Sequence, residues 1–227
     1  MIPISKTILK KNEINSVLKP LKSGWLVQGQ NVAEFENSWS SFTNSNYSIA
    51  TTSCTSGLHL SLMALELKPD SEVIVPAFTW ISTANVVEQM GARPIFCDIN
   101  PDTFNIDVSK IERLITKKTK GIIPVHLFGL AADMKEIKHI AKKYGLWILE
   151  DAACGFGSLY KNKHVGTIGD IGVFSLHPRK SITTGEGGMI TTNNKLLFEK
   201  LKLFRNHGIL RKTSLKKFKW NYDIIDR

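Results

Sequence analysis

Lys180 is the residue whose surroundings best suit covalent chemistry. It follows a short apolar run, 171–176, that predicts a buried strand, and the polar and glycine-rich residues beyond it predict that the strand ends there. Open α/β sheets bind their ligands at the carboxyl ends of strands, where Lys180 would lie. Burial and the neighbouring cation Arg179 would favour the neutral amine, which forms an imine with an aldehyde. A lysine taken at random is a solvated loop residue in about nineteen cases of twenty, so the interpretation depends on what else lies nearby.

Asp151 supplies the second group that such chemistry needs. It ends another apolar run, 146–151, and stands 29 residues before Lys180. An aspartate at the end of a strand is expected to face the same cleft as Lys180. A lysine that forms an imine and an aspartate that keeps a pyridine nitrogen protonated are the pair that pyridoxal phosphate chemistry requires. We therefore predict that both side chains lie in one pocket, at opposite ends of a single flat ring.

A helix start rich in hydroxyl groups is a candidate phosphate site. The run 47–53 predicts a strand, and the run 55–65 predicts the helix that follows it. The junction carries four hydroxyl groups and a glycine, at Thr52, Ser53, Thr55, Ser56 and Gly57. Free N–H groups and the helix dipole favour a dianionic phosphate at such a junction, although most hydroxyl-rich helix starts are only N-caps and about one in ten binds phosphate.

Several motifs occur in order along the chain, and together they resemble one family. They are Pro76–Trp80, Glu150–Gly157, Phe174–Lys180 and Ile182–Met189. They are similar to motifs of the sugar-nucleotide aminotransferases called the DegT/DnrJ/EryC1/StrS family, and the likeness runs from Gly24–Gly29 to Arg205–Gly208. The resemblance implies a three-layer αβα fold with a mainly parallel sheet, the large domain of fold-type I pyridoxal-phosphate-dependent transferases.

The resemblance also implies roles for individual residues. Lys180 would be the catalytic residue and would carry the cofactor, pyridoxal 5'-phosphate. Thr55, Ser56 and Ser175 would hold its phosphate. Asp151 would contact the ring nitrogen.

Four further roles follow from the same likeness. Trp80, expected to open a helix, would stack on the cofactor ring, although tryptophan is more often a core residue. Cys154 stands near the cofactor's phenolic oxygen, where many relatives have histidine or glutamine, and would form a weaker hydrogen bond. Trp25 and His177 would contact substrate, although packing alone also explains Trp25.

The activity that the resemblance implies is a ping-pong transamination for surface polysaccharide or glycoconjugate synthesis. Glutamate would donate its amino group, a nucleotide-linked keto-sugar would accept it, and Lys180 would move the proton as base and acid. The enzyme would be a homodimer with shared active sites. Relatives that dehydrate sugars replace the lysine with histidine, so Lys180 argues against that reaction; a non-catalytic binding or regulatory homologue is the alternative.

The end of the chain departs from the family pattern. Relatives continue with a Gly-Tyr-Asn-Tyr-Arg segment, whose asparagine reaches the neighbouring subunit's phosphate, and with a small C-terminal domain. We expect residues 1–227 to form the large domain alone, with a helical N-terminal segment over about 1–42. Asn221 is a poor substitute for the family asparagine. A fragment, a truncated gene product and a degenerate copy all fit this pattern.

The elements that must position these residues alternate regularly. The sequence predicts strands at 93–99 and 121–126 and helices at 10–22, 31–41, 108–115 and 134–144. Such alternation indicates βαβ units and a mainly parallel sheet covered by helices on both faces. His126 would end a strand and face the cleft, but a hydrogen-bonded structural histidine is at least as common, so we assign it no role.

Composition excludes several classes of protein. The net charge is +10, yet no aromatic-interleaved basic stripe or helix-turn-helix pattern accompanies it, so we expect no nucleic-acid partner. No apolar window of about 18 residues occurs, and we expect neither a membrane segment nor a secretory leader. The three cysteines form no CxxC pair, which predicts no metal site and fits a reducing, cytoplasmic compartment.

Overall fold

The computed structural model describes residues 5–211 and 222–224. Its strands are β1 Tyr47–Thr51, β2 Glu72–Pro76, β3 Arg93–Cys97, β4 Thr119–Ile122, β5 Trp147–Asp151, β6 Leu159–Tyr160, β7 Lys163–His164, β8 Ile171–Ser175, β9 Gly188–Thr192, β10 Ile209–Arg211 and β11 Tyr222–Ile224. Seven of them form one sheet in the order β1-β9-β8-β5-β4-β2-β3. Every neighbouring pair in this sheet is parallel except the two pairs that β9 makes, with β1 and with β8. Two small hairpins, β6-β7 and β10-β11, lie outside it.

Helices cover both faces of this sheet. They are α1 Lys11–Ser23, α2 Gln30–Thr43, α3 Cys54–Ala64, α4 Ser82–Gln89, α5 Met134–Tyr144 and α6 Lys195–Arg205. Val73 and Val75 of β2 pack with apolar residues of α3, α4 and α6, whereas Ile74 between them packs with residues of α5. Successive strand residues point to opposite faces, so the sheet is the middle of three layers, which confirms the predicted architecture.

The N-terminal segment consists of two helices of different character. Helix α1 has no buried residue, and its apolar side chains are exposed on one side. Gly24 ends it in the left-handed conformation, as the Ser23–Gly24 stop signal predicts. Helix α2 packs more closely, because Trp39 lies against Phe174 of β8 and Phe156.

Three local predictions are wrong at their boundaries. Residues 108–115 form two 3-10 turns instead of one helix. Asp107 caps the first turn by accepting from the Ser109 N–H, but the N–H groups that follow bond carbonyls three residues back, not four. The strand predicted over 121–126 stops at Ile122, two residues before Pro124, which has no N–H for a ladder. Trp80 does not open a helix, since α4 begins at Ser82.

No helix within the described residues has the length and apolar character needed to cross a bilayer.

Candidate active site

Asp151 is a buried carboxylate with hydrogen bonds on both oxygens. The Thr83 hydroxyl donates to Oδ2 at 2.8 Å, and the N–H of Ala153 donates to Oδ1 at 3.1 Å. Burial raises the pKa of the Asp151 carboxyl, while these bonds and the charge of Lys180 oppose that rise. Among the described residues no ion pair includes Asp151, so its charge is available for a cationic ligand.

Lys180 lies close to this carboxylate, in the turn that follows β8. Its amine is 2.9 Å from the Cys154 sulfur, three residues after Asp151. Burial raises the pKa of the Cys54 thiol well above its ordinary value, and Asp151 and Lys180 both act on that thiol electrostatically. The structure therefore gathers an amine, a carboxylate and two thiols in one pocket at the carboxyl ends of β5 and β8.

The start of α3 lies beside the same strand ends. Ser53 caps the helix, its Oγ accepting from the Ser56 N–H at 3.1 Å, and the Ser56 hydroxyl lies 2.9 Å from that of Thr52. Thr55 is half-buried in this first turn. Helix starts combine unpaired N–H groups with the positive end of the dipole, so this one suits an anion.

Ser175 is brought next to this helix start by the sheet. Gly188 of β9 pairs with Ser175 on one side and with Thr51 on the other. A Cβ at Gly188 would lie 2.5 Å from the Ser53 backbone, so the absence of a side chain lets α3 approach. Ser175 and the segment that leads into α3 therefore lie on either side of β9, at the same end of the sheet.

The predicted ring-stacking residue and substrate residues lie at the edge of this pocket or away from it. Trp80 follows β2 at the same sheet edge and is 73% exposed. His177 lies in the turn before Lys180, where its Nδ1 accepts from the Arg179 N–H and its carbonyl accepts from the Lys180 N–H. Trp25 bonds within its own turn, to the Gln28 carbonyl, and no described contact brings it to Lys180.

A buried network supports the pocket from the opposite face of β5; it uses His126 as a hydrogen-bonded structural histidine, the alternative considered for it, and Glu150, which the sequence does not single out. Glu150 accepts four hydrogen bonds, from His126 Nε2 and from the N–H groups of Gly166, Ile168 and Gly169. The Nδ1 of His126 accepts from the Ala132 N–H, so the proton is on Nε2 and the ring is neutral. Burial would raise the pKa of Glu150, but these bonds lower it overall, so the residue is an ionised structural anchor.

Pyridoxal phosphate fits this set of groups. A half-buried amine can bond its aldehyde, a buried carboxylate without an ion-pair partner can bind its ring N–H, and a helix start with nearby hydroxyls can hold its phosphate. Among the described residues no group of three or more His, Cys, Asp or Glu side chains could hold a metal ion.

Comparisons with known proteins agree with this geometry. The family model described as the DegT/DnrJ/EryC1/StrS aminotransferase family matches residues 7–223. The spore coat polysaccharide biosynthesis protein SpsC of Bacillus subtilis is 40% identical over 92% of this chain and 54% of its own length. The chain spans 54% and 59% of the lengths of two curated relatives that it matches.

Solved structures give the same result. An aminotransferase from Psychrobacter cryohalolentis superposes with a TM-score of 0.91 at 35% identity, over 96% of this chain and 57% of its own. NtdA of Bacillus subtilis, with bound cofactor PMP, gives 0.82 at 38% identity over 92% and 47%. DesI, in the presence of its TDP-sugar product, gives 0.81 at 31% identity over 86% and 50%.

Proposed function

The chain belongs to the DegT/DnrJ/EryC1/StrS aminotransferase family, and on that premise we propose that its protein is a pyridoxal-phosphate-dependent aminotransferase acting on a nucleotide-linked keto-sugar. One observation carries the proposal. The Lys180 amine and the Asp151 carboxylate share a pocket, and the start of α3 lies at the same sheet edge.

Each group in the pocket has a separate task. Bound pyridoxal phosphate would withdraw electrons from the substrate carbon that loses its proton. Asp151 would hold the ring nitrogen in its protonated form, and Thr55, Ser56 and Ser175 would hold the phosphate. Lys180 would hold the cofactor through its aldehyde and would serve as the base and then the acid in the proton transfer. Cys154 contacts the amine directly.

The remaining residues recognise the cofactor and the substrates. Trp80, which is exposed, would stack on the cofactor ring. Trp25 and His177 contact the sugar nucleotide, and for Trp25 this requires a movement of its turn or contact through a second subunit. Among the predicted residues, these two have the least support from the described contacts.

The substrates are inferred from relatives. SpsC belongs to polysaccharide synthesis, and DesI has a nucleotide-linked sugar as product. We infer that this protein takes glutamate as amino donor and supplies an amino sugar for a surface polysaccharide or glycoconjugate. All three cysteines are free, which is consistent with a cytoplasmic protein.

The protein is also proposed to act as a homodimer that shares its active sites. Exposed aromatic side chains lie at the same sheet edge as Lys180, among them Phe128, which is 74% exposed. A second copy that covers them would also cover the open side of the pocket.

The test uses absorbance of the purified protein with added pyridoxal phosphate. After unbound cofactor is removed, we expect the protein to keep a band near the visible edge, because an imine with Lys180 retains the cofactor, and we expect Lys180→Ala to abolish it. Lys142→Ala, which removes an exposed lysine of α5, is the matched control and should keep it. Glutamate should then convert the band to that of the aminated cofactor.

Two outcomes separate the proposal from its alternative. A band that persists in Lys180→Ala would overturn the assignment of Lys180. A normal band that glutamate never converts would mean that the protein binds the cofactor without transferring nitrogen, as a non-catalytic homologue would.

A further inference from the structure

Thr83 is not among the predicted site residues, but its side chain contacts one of them, the Asp151 carboxylate. It lies in the first turn of α4, is fully buried, and places its hydroxyl 2.8 Å from Asp151 Oδ2. The Thr79 hydroxyl lies 3.1 Å from that of Thr83. Two hydroxyls therefore lead from the half-exposed Thr79 to the buried carboxylate.

The direction of these hydrogen bonds follows from chemistry. An ionised carboxylate can only accept, so the single hydroxyl proton of Thr83 is donated to Asp151. The proton between the two threonines must then come from Thr79. The arrangement is a donor chain that ends on a charge, and bonds to charged groups are about twice as strong as neutral ones.

We propose that Thr83 is a positioning residue, which holds the Asp151 carboxylate in the orientation and charge state that a protonated pyridine nitrogen requires. This inference rests on the proposed function. The Thr83 hydroxyl and the Ala153 N–H each donate one hydrogen bond, to Oδ2 and Oδ1 of Asp151 respectively. Each oxygen can accept a second bond, which the protonated ring nitrogen of the cofactor would donate.

The hydrogen bond from Thr83 influences the charge state of Asp151, together with burial and the nearby titratable groups. The titratable groups that act on Asp151 are Lys180, which favours its ionised form, and the neutral Cys54 thiol; His126 carries no charge, because its Nδ1 accepts the Ala132 N–H. Burial raises the pKa of the carboxyl, and the Thr83 hydroxyl is the largest single influence against that rise. Without this hydroxyl, the proton shared with the ring nitrogen would move toward Asp151, and the ring would lose its positive charge.

The experiment compares the cofactor-loaded wild type with Thr83→Val and Thr83→Ser. Thr83→Val keeps the shape and removes the donor, whereas Thr83→Ser keeps the donor. The readout is the ¹⁵N NMR signal of cofactor labelled at the ring nitrogen, which distinguishes pyridinium from pyridine. We expect a shift toward pyridine in Thr83→Val, a signal near wild type in Thr83→Ser, and a fall in the rate of the glutamate half-reaction of about 10- to 100-fold in Thr83→Val alone.

Thr43→Val is the matched control. Thr43 is a buried helical threonine whose hydroxyl bonds the Trp39 carbonyl, and it lies on α2, away from Asp151. It should lower the melting temperature while leaving the nitrogen signal unchanged. If Thr83→Val does not fold, Thr83→Ala removes the same donor with a smaller side chain and replaces it in the comparison.

The outcomes distinguish this inference from the proposed function. If the wild type shows no Lys180-dependent band, the proposed function fails and the role of Thr83 fails with it. If the band is present but the hydroxyl-free variant has the wild-type nitrogen signal, only the role of Thr83 is overturned. A shift that serine does not reverse would also overturn it, since the hydroxyl would then not be the cause.

Discussion

His164 is a buried ring whose proton is fixed by two backbone groups. Its Nδ1 lies 2.6 Å from the Val165 carbonyl, to which it must donate, and its Nε2 accepts from the Gly157 N–H at 2.9 Å. The ring is therefore neutral, and burial lowers its pKa, against the hydrogen bond to the Val165 carbonyl and the charge of Glu150, which both raise it. A proton on Nε2 would break the bond to Gly157, three residues after Cys154.

This arrangement predicts acid sensitivity at the residue scale. Because the folded pKa of His164 is below the unfolded value of 6.5, the unfolded chain binds the proton first. The stabilisation is complete above pH 6.5 and is lost as the pH falls below it. We expect the wild type to lose up to about 1 kcal/mol more unfolding free energy than His164→Gln between pH 7 and pH 5, measured by urea denaturation. Equal losses in the two proteins would contradict this.

The sequence identifies some residues of the pocket better than others. Asp151 is recognisable because it ends an apolar strand, and Lys180 because it follows one, since ligands of such sheets bind at those ends. Thr83 gives no comparable signal, since a threonine in a first helical turn usually serves only the helix. Glu150 precedes Asp151 on the same strand and points to the opposite face, because strand neighbours alternate.

At the scale of elements, the position of α3 depends on two glycines. A Cβ at Gly57 would meet a Val173 side-chain carbon at 2.7 Å, and one at Gly188 would meet the Ser53 backbone at 2.5 Å. Side chains can rotate away, but backbone atoms move only with the whole helix. Gly188 therefore sets how closely the proposed phosphate site approaches β9.

Gly188→Ala should weaken cofactor binding, because α3 must move outward from Ser175. We expect an affinity loss of about tenfold or more, consistent with overpacking costs of about 1–3 kcal/mol, measured by fluorescence titration with pyridoxal phosphate. Gly121→Ala is the control: its Cβ would meet the Trp147 ring, at the end of β5 opposite Asp151. It should lower the melting temperature and leave the affinity of the folded protein unchanged. Equal affinity losses in both variants would show that general destabilisation is the cause.

The sequence predicts the type of an element correctly where a regular apolar spacing extends over many residues. In a short segment the same spacing does not distinguish between types of helix. Helix α5 was predicted at its observed bounds, 134–144, because its apolar spacing is regular and Gly145 ends it. The 3-10 turns at 108–114 were not, because in so short a segment the apolar spacing does not distinguish N–H groups that bond three residues back from those that bond four residues back. The antiparallel direction of β9 was not predictable from its own residues, because it depends on how the connection 176–187 returns the chain to the edge of β8.

At the scale of the whole molecule, aromatic side chains form an exposed surface at the carboxyl edge of the sheet. Phe104 lies between Phe78 and Phe128; its ring centroid is 5.5 Å from that of Phe78 and 6.3 Å from that of Phe128. Phe104 and Phe128 both have positive φ angles, which bulky residues adopt only at a cost. Buried Asn105 joins their loops by accepting from the Leu127 N–H and donating to the Leu130 carbonyl.

These aromatic side chains are exposed, and their loops are held by hydrogen bonds from Asn105. We expect such a surface to form a subunit contact, because aromatic residues are enriched at protein interfaces. We predict that Phe128→Ser raises the dissociation constant of the proposed homodimer by about 30-fold or more, as the loss of a central contact of about 2 kcal/mol would. Sedimentation velocity over a concentration series measures it. Leu196→Ser, at a comparably exposed position on α6, is the matched control and should sediment like the wild type. If Phe128→Ser leaves the distribution unchanged, the second copy does not bind at this surface, and the open side of the Lys180 pocket must be closed by other residues.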